Sequence, residues 1–258
     1  MERYKTRMRF TKTGNVRFIG HLDLMRFFQK AVRRAGLKVA YSQGYSPHQL
    51  MSFASPLGVG QTTDGDYIDI EFEPDEAEPE IIMERLNSVL TDEVFITGIE
   101  KMPEGFKNSM AMLKSAAYMI TAKPKNQNEN ESSSHSGTDI DTKQNYGVFF
   151  DGYKQKFEDF YDQNEIIITK KTKKSKRTID LKPAIQAHAY TIEDFEAAIG
   201  EKLPTLHPIY TGESIFMKLS AGSSDNVNPA QVMDAFFTFA GVEAEPYSYQ
   251  IHRCEMWF

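Results

Sequence analysis

Apolar and polar residues alternate at the start of the chain, and the alternation then changes to a helical spacing. From Tyr4 to Thr11, apolar or hydroxyl side chains alternate with mostly basic ones, which is the period of a β-strand with one buried and one basic face. From about His21 to Ala35, residues such as Leu24 and Phe28 recur at intervals of three and four, and Gly36 follows. This spacing predicts an amphipathic helix that ends at the glycine.

The pattern continues as an ordered series of elements up to Lys101. Gln49 to Pro56 and Asp66 to Glu73 predict the two strands of a hairpin, Glu78 to Leu90 predicts a helix, and Glu93 to Lys101 predicts a strand. The order strand, helix, strand, strand, helix, strand is typical of a split βαβ, or ferredoxin-like, domain. We expect two helices to cover one face of its antiparallel sheet and the other face to be open.

A second, less regular pass through this order begins near Met112. Strands are predicted at Met112 to Lys123, Ser214 to Ser220 and Tyr247 to Trp257, and a helix is predicted at Asn228 to Ala240. We therefore expect an α+β protein of tandem ferredoxin-like (split βαβ) domains with antiparallel sheets. The first domain is expected to span residues 1–108 and the second residues 109–258.

Three segments interrupt the pattern of the second half. Residues 125–145 contain almost no apolar side chains, so we expect a disordered insertion there. Tyr146 to Asp162 is rich in aromatic residues and fits either a helix or an irregular segment. Glu165 to Thr169 and Thr178 to Ile185 predict two further strands, which the strongly basic segment Lys170 to Arg177 joins as a hairpin tip.

The charges along the 258 residues are unevenly distributed, although the net charge is only −6. Residues 1–50 contain eleven Lys or Arg against two acidic residues, whereas residues 51–110 contain three Lys or Arg against fourteen acidic residues. A local basic surface on an acidic protein favours an anionic ligand, and a merely solvated face is the alternative. The polar face of the first helix supplies four of the basic residues, Arg26, Lys30, Arg33 and Arg34.

The segment Tyr41 to His48 is too rich in Gly, Pro and Ser to continue a helix, so it predicts an exposed loop. Its two tyrosines, histidine and amide offer flat faces and hydrogen-bond donors that suit unstacked RNA bases. A turn whose tyrosines pack against the core is the alternative. The residues that we expect to contact RNA are Arg17, Arg26, Lys30, Arg33, Arg34, Tyr41, Ser42, Gln43, Gly44, Tyr45 and His48.

Two histidines flank the basic helix, His21 at its start and His48 after the glycine loop. Two imidazoles beside arginines can act as base and acid on a ribose hydroxyl and a phosphate, so one hypothesis is a metal-independent endoribonuclease that uses both. An RNA-binding protein without cleavage activity needs the same residue types. Asp23 alternatively caps the helix, and the His21–Asp23 pair lacks the third ligand that a metal site requires.

Composition narrows the function classes further. Cys254 is the single cysteine of the sequence, so an intramolecular disulfide and a multi-cysteine metal or iron–sulfur site are excluded. No apolar run approaches the length of a membrane span, and we expect a cytoplasmic protein without membrane contact. The phosphate-binding glycine motifs and the hydrolase nucleophile elbow are absent, and the sequence implies no cofactor.

The segment from Arg17 to Gly60, RFIGHLDLMRFFQKAVRRAGLKVAYSQGYSPHQLMSFASPLGVG, resembles the N-terminal signature of the radical-SAM-linked proteins. Members of this bacterial family occur alone or joined to a cobalamin-binding-type radical SAM protein. Gly20 and Ser46 replace the usual Ser and Asn of the signature. The positions that match it are Arg17, Phe18, His21, Leu22, Asp23, Arg26, Arg33, Arg34, Tyr41, Ser42, Gln43, Gly44, Pro47, His48, Ser52 and Gly58.

The resemblance implies a role close to RNA, because family members are often encoded near a ribonuclease of the E/G type and large-subunit ribosomal proteins. This chain lacks the three cysteines that hold the cluster of a radical SAM enzyme, so it can only assist one. Our main hypothesis is an RNA-binding accessory protein in tRNA or rRNA maturation that assists a radical SAM RNA-modifying enzyme. The alternatives are the endoribonuclease and a protein-only adaptor for a radical SAM enzyme.

Overall fold

One mostly antiparallel sheet of eight strands forms the framework of the protein. The computed structural model describes residues 3–74, 77–123, 149–171, 176–222, 226–244 and 247–258. Within these ranges the fold is mixed α/β, with six α-helices and ten strands. The helices are α1 (His21–Arg34), α2 (Pro79–Asn87), α3 (Ser109–Met112), α4 (Tyr153–Tyr161), α5 (Ile192–Ile199) and α6 (Pro229–Ala240). The strands are β1 (Tyr4–Lys12), β2 (Met51–Phe53), β3 (Thr62–Phe72), β4 (Ile96–Lys101), β5 (Ser115–Ala122), β6 (Ile167–Lys171), β7 (Lys176–Asp180), β8 (Ile185–Ala189), β9 (Ser214–Ser220) and β10 (Tyr249–Trp257).

The first half of the chain builds its part of the sheet in the order β4-β1-β3-β2. β1 pairs antiparallel with β3 from Tyr4, opposite Phe72, to Lys12, opposite Thr63. The short β2 pairs antiparallel with the C-terminal part of β3 only, where Phe53 lies opposite Ile68. The N-terminal part of β3 is therefore open to another neighbour on that side.

That neighbour is β10 from the other half of the chain. It runs parallel to β3, with His252 opposite Thr62 and Arg253 opposite Thr63. From there the sheet continues in the order β10-β5-β9-β8, and these neighbours are all antiparallel. β6 and β7 form a separate two-stranded hairpin. The β3–β10 pair thus joins the two halves into a single sheet.

Each half has its own apolar core between helices and sheet. In the first half, the ring of Phe28 from α1 lies 5.1 Å from that of Phe10 and 5.7 Å from that of Phe53. In the second half, the ring of Phe157 from α4 lies 5.0 Å from that of Phe236 from α6. Full burial of a side chain of this size stabilises a fold by roughly 1.5–3 kcal/mol, so these contacts hold the helices on the sheet.

The structure confirms most elements expected in the first half and adds elements in the second. β1 and α1 begin at the predicted residues Tyr4 and His21. The aromatic segment from Tyr146 to Asp162 contains α4. The sequence analysis did not predict α5, although it has both end signals: the Thr191 hydroxyl accepts the backbone N–H of Asp194, and Gly200 closes the helix at φ +71°.

Part of the sheet face that we expected to be open is covered around Arg7, and two basic residues of β1 are paired within the fold. Arg7 is only 8% exposed, its guanidinium lies 3.8 Å from the ring centroid of Phe258, and its Nε donates to the Ser109 hydroxyl. Arg9 forms an ion pair of 3.1 Å with Glu255 of β10. A local strand pattern cannot show that the second half folds back over this face. Part of the positive charge counted in residues 1–50 is therefore not available to a ligand.

Some sequence predictions lie outside the described residues or are not tested by the fold. The expected insertion at residues 125–145 lies outside them, as do residues 172–175 of the hairpin tip predicted at Lys170 to Arg177. The domain boundary after residue 108 stays a prediction. Among the described residues, none of the helices combines the length and the apolar character needed to cross a lipid bilayer.

Candidate nucleic-acid interface

Helix α1 presents a basic face because its apolar residues are confined to the opposite side. Leu24, Phe28, Ala31 and Val32 are buried, whereas Arg26, Lys30 and Arg33 are exposed. At 1.5 Å per residue, the 14 residues of α1 form a rod about 21 Å long. Such a length can follow several consecutive phosphates of a nucleic-acid strand.

The individual charges of α1 have different environments. Arg26 forms an exposed ion pair of 3.0 Å with Asp23, which contributes little because both groups are solvated. Asp23 lies in the first turn of the helix and does not cap it. The N-cap residue is Gly20, which has no side chain to accept a hydrogen bond. Arg34 donates to the backbone oxygen of Val89 at 2.9 Å, so part of its hydrogen-bonding capacity is used within the fold. Arg33 is exposed.

The loop from Tyr41 to His48 is closed at its base and open at its tip. The backbone N–H of Ser42 donates to the backbone oxygen of His48 at 2.8 Å, and the Ser42 hydroxyl lies 2.8 Å from His48 Nδ1. Gly44 adopts φ +122°, and Tyr45 at the tip is fully exposed. Tyr41 and Gln43 are also exposed. The loop thus presents the exposed ring of Tyr45 on a base that is fixed by hydrogen bonds. The alternative of tyrosines packed in the core does not hold for Tyr41 or Tyr45.

Three exposed apolar side chains lie at and near the N-terminal end of α1. Phe18, Leu22 and Val59 are 59%, 70% and 65% exposed. The Arg17 guanidinium lies 4.2 Å from the Phe18 ring centroid, and the backbone oxygen of Arg17 accepts the N–H of Gly60 at 2.8 Å. We call Phe18, Leu22 and Val59 the apolar cluster. Large apolar side chains that are exposed on neighbouring segments are typical of contact surfaces.

The two candidate catalytic histidines lie in different parts of the first half. His21 packs edge-on against Phe53 of β2, with ring centroids 5.2 Å apart. His48 is held by Ser42 in the loop that precedes β2. Five residues of extended chain between His48 and Phe53 correspond to about 16 Å. Among the described residues no hydrogen bond or ring contact joins the two imidazoles, and the endoribonuclease hypothesis stays a prediction.

A buried polar network at the β3–β10 junction was not expected from the sequence. His252 Nε2 lies 3.1 Å from Asp64 Oδ2, and its Nδ1 lies 2.9 Å from the Thr62 hydroxyl. Arg253 donates to Asp66 at 3.0 Å. In the sequence, the two aspartates of TTDGDY, Asp64 and Asp66, were the only local sign of this network. Their partners His252 and Arg253 lie almost 190 residues further along the chain. In the part of the chain that the structure describes, no three His, Cys, Asp or Glu side chains form a group that could hold a metal ion.

Comparisons with known proteins show the family of the chain and include a distant structural likeness. A family model described as an uncharacterized protein conserved in bacteria, DUF2344, matches residues 5–229. No curated protein matches the chain. The crystal structure of an unknown protein from Galdieria sulphuraria is 9% identical over all of both chains, and its TM-score of 0.25 is too low to support an argument about the fold.

Proposed function

Since the chain belongs to the DUF2344 family of uncharacterized proteins conserved in bacteria, its site residues must carry the functional argument, and we propose that it is an RNA-binding accessory protein in tRNA or rRNA maturation. The observation that supports this proposal is the exposed basic face of α1 together with the free Tyr45 ring in the loop that follows it. Arginine and lysine neutralise phosphates, and exposed aromatic rings stack on unpaired bases.

The basic face of α1 and the loop that carries Tyr45 follow one another closely along the chain. α1 ends at Arg34, and Val39 pairs with Phe72 at the end of β3 immediately before the loop begins at Tyr41. The C-terminal end of the basic face and the loop therefore lie toward the same end of the sheet. A single-stranded RNA segment can place its phosphates along α1 and stack a base on Tyr45. Sequence-specific recognition of RNA commonly uses such unpaired segments.

We propose a tandem ferredoxin-like arrangement as the scaffold for this surface. The strand orders β4-β1-β3-β2 and β10-β5-β9-β8 support it, because each half follows the same relative order of first, second, third and fourth strands. In this arrangement α5 and the β6–β7 hairpin are additions to the second half. Split βαβ units of this kind place both helices on one side of the sheet.

The proposal is tested with the purified protein and total cellular RNA at two salt concentrations, with crosslinking and sequencing of the retained RNA. Binding should be salt-sensitive, and the double variant Arg26→Ala/Arg33→Ala should bind roughly tenfold more weakly, with a salt slope smaller by about 0.7 for each phosphate contact removed. Lys107→Ala/Lys154→Ala removes the same charge at exposed positions elsewhere and is the matched control. RNA binding that is independent of salt, or equal in the two double variants, would contradict the proposal.

A second candidate function is a protein adaptor for a radical SAM enzyme, and the apolar cluster favours it. Exposed apolar side chains beside Arg17 are more typical of a protein contact than of phosphate binding. Leu22→Glu introduces a charge into this cluster and leaves the basic face of α1 unchanged. If the adaptor function holds, the variant should lose a nuclease-resistant complex with the enzyme in a pull-down. If RNA binding alone is the function, no such complex should form with either protein.

A further inference from the structure

A groove of about 520 Å³ runs along the β6–β7 hairpin, between β6 and helix α6. Ile167 and Ile168 belong to opposite faces of β6, and both line the groove, whereas none of the described residues of β7 does. The groove therefore follows the outer edge of β6. Neither the basic face of α1 nor the apolar cluster contributes to it, so the functions proposed above do not account for it.

The backbone of β6 has an unpaired edge on this side. Leu181 donates its N–H to the backbone oxygen of Ile166 at 2.8 Å, and this bond sets the alternation of the β6–β7 ladder. In an antiparallel pair, successive residues direct their backbone groups alternately toward the partner strand and away from it. The N–H and C=O groups of Ile167 and Thr169 thus point away from β7, and within the described parts of the chain no hydrogen bond reaches them.

An open edge of this kind is a template for a further strand. The β6–β7 hairpin is a sheet of two strands only, and such a sheet is marginally stable in water. Unpaired N–H and C=O groups along an edge pair readily with another extended chain. A helix that lies beside the edge gives the added strand a second wall, against which its side chains can be selected.

Helix α6 forms this second wall, and its side chains there are accessible. Asp234 and Thr238 are exposed. Phe239 is 37% exposed, although Lys156 Nζ lies 5.0 Å from its ring centroid. From Gln231 to Phe239 the wall is about 12 Å long, at 1.5 Å per residue, which matches about four residues of an extended chain. The groove thus has the length of a short stretch of polypeptide.

The charge in the groove is negative. Asp234 is the one ionisable side chain among the described residues that line it, and no ion pair joins it to another described residue. Partial burial raises the pKa of this carboxyl above its ordinary value of 3.8. Asp162 and Glu165, which flank the lining residue Gln163 along the chain, are exposed acids. A cation supplied by a ligand would compensate the Asp234 carboxylate.

We propose that this groove binds an extended segment of a partner protein, which adds a third strand to the edge of β6. Its backbone pairs with Ile167 and Thr169, and its apolar side chains cover Phe239 and the 49% exposed Ile167. A lysine or arginine of the segment pairs with Asp234. An extended polypeptide presents N–H and C=O groups at the spacing that this edge requires. The inference does not depend on RNA binding.

The test begins with the purified full chain and a random heptapeptide library displayed on phage. Selected peptides are synthesised, and their binding is followed by NMR chemical shifts. We expect sequences in which apolar and polar residues alternate and which contain lysine or arginine. Asp234→Lys should weaken their binding roughly tenfold and shift the selection toward acidic peptides. Asp92→Lys, which reverses the same charge at an exposed position of the first half, should bind them as the parent does.

Two proline variants test the strand pairing itself. Thr169→Pro removes an N–H that points away from β7, and proline is tolerated at such positions of an edge strand. Thr178→Pro removes the corresponding N–H of β7, because Thr178 lies opposite Thr169, but Thr178 does not line the groove. Thr169→Pro should weaken peptide binding roughly tenfold, as expected for loss of one hydrogen bond, and Thr178→Pro should leave it unchanged. The unfolding temperature reports whether each variant is folded.

A modified peptide tests the same pairing without any change to the protein. Methylation of alternate backbone nitrogens of a selected peptide should abolish its binding in one of the two possible registers. Absence of saturable peptide binding, equal effects of the two proline variants, or full binding of both methylated peptides would overturn the inference. So would a dimer, detected by light scattering without peptide, that Thr169→Pro dissociates, since the occupant would then be a second copy of this chain.

The outcomes are separate from those of the RNA-binding test. The double variant Arg26→Ala/Arg33→Ala should bind the selected peptides as the parent does, because neither residue lines the groove. Salt-sensitive RNA binding can be observed whether or not a peptide binds. Loss of peptide binding in that double variant would contradict the assignment of the peptide to the edge of β6.

Discussion

Asp64 links two segments that are far apart in sequence, and it does so through a single carboxylate. It accepts hydrogen bonds from the imidazole of His252 and from the backbone N–H of His207. Burial alone would raise the pKa of this carboxyl, but the hydrogen bonds outweigh it and hold the pKa below the ordinary value of 3.8. The ionised form is therefore the one that the fold stabilises.

This pKa shift predicts a pH-dependent stability. Because the folded-state pKa is lowered, Asp64 stabilises the protein above the unfolded pKa of about 3.9, and the contribution is lost as the pH falls through the folded pKa. Asp64→Asn should lower the free energy of unfolding at neutral pH by about 2 kcal/mol. The difference in free energy of unfolding between the variant and the parent should narrow below about pH 4. Urea unfolding of both proteins across this pH range measures it.

The control for this measurement is Asp92→Asn, which removes an exposed carboxylate. Its stability should follow the parent at every pH. If the difference in free energy of unfolding between Asp64→Asn and the parent stayed constant to the lowest pH measured, the carboxylate charge would have no part in the stabilisation.

At the scale of the secondary-structure elements, the end of α1 depends on one glycine and one arginine. Gly36 adopts φ +64°, a conformation that L-residues with a Cβ adopt at a cost. Arg85 donates to the backbone oxygens of Ala35 and Gly36 at 3.1 and 2.7 Å. A Cβ at Gly36 would lie 3.1 Å from Arg85 Nη2, so the glycine also leaves room for this arginine.

Gly36→Ala should therefore cost more stability than the backbone strain alone. We expect a loss of about 1–2 kcal/mol from the left-handed conformation, with an added loss from displacement of Arg85. Gly200→Ala at the end of α5 is the matched variant, because its φ is +71° and nothing lies within 4 Å of its Cβ position. Thermal or urea unfolding compares the two. Equal losses would mean that the contact with Arg85 contributes nothing.

Local patterns predicted the elements whose apolar spacing repeats, and they failed where a contact partner is distant in sequence. The stripe of Leu24 and Phe28 fixes α1 and leaves Arg26 and Arg33 exposed, so these proposed RNA-binding residues could be identified before the fold was known. The burial of Arg7 could not be predicted in the same way. Its partners Ser109 and Phe258 are far along the chain, and a strand pattern contains no information about which half covers the second face.

At the scale of the whole molecule, the close contact of β3 with β10 makes the two halves one structure. Gly65 lies so near β10 that a Cβ there would be 2.7 Å from the Cα of Glu255 and closer still to the backbone oxygen of Cys254. These are backbone atoms, which cannot move without disturbing the pairing of His252 and Arg253 with β3. The glycine is thus a requirement of the junction.

Gly65→Ala should destabilise the protein by more than about 2 kcal/mol, since overpacking against a fixed backbone is not relieved by a rotamer change. Loss of the junction should also split the unfolding into two transitions. Gly98→Ala in β4 is the comparison variant, because its Cβ would meet Arg9 Cβ at an ordinary 3.8 Å. Calorimetry distinguishes one transition from two. A single transition and unchanged stability for Gly65→Ala would show that the halves do not depend on this contact.

The same junction has a consequence for synthesis on the ribosome. Thr62 and His252 are 190 residues apart, so at 5–20 residues per second the first half waits about 10–40 s for its partner strand. During that time Arg9 and Asp66 lack their partners Glu255 and Arg253, and we expect water to solvate both charges. A newly made chain with an apolar surface at this place would be prone to aggregation. We expect the polar character of the junction to limit aggregation of the nascent first half until translation reaches β10.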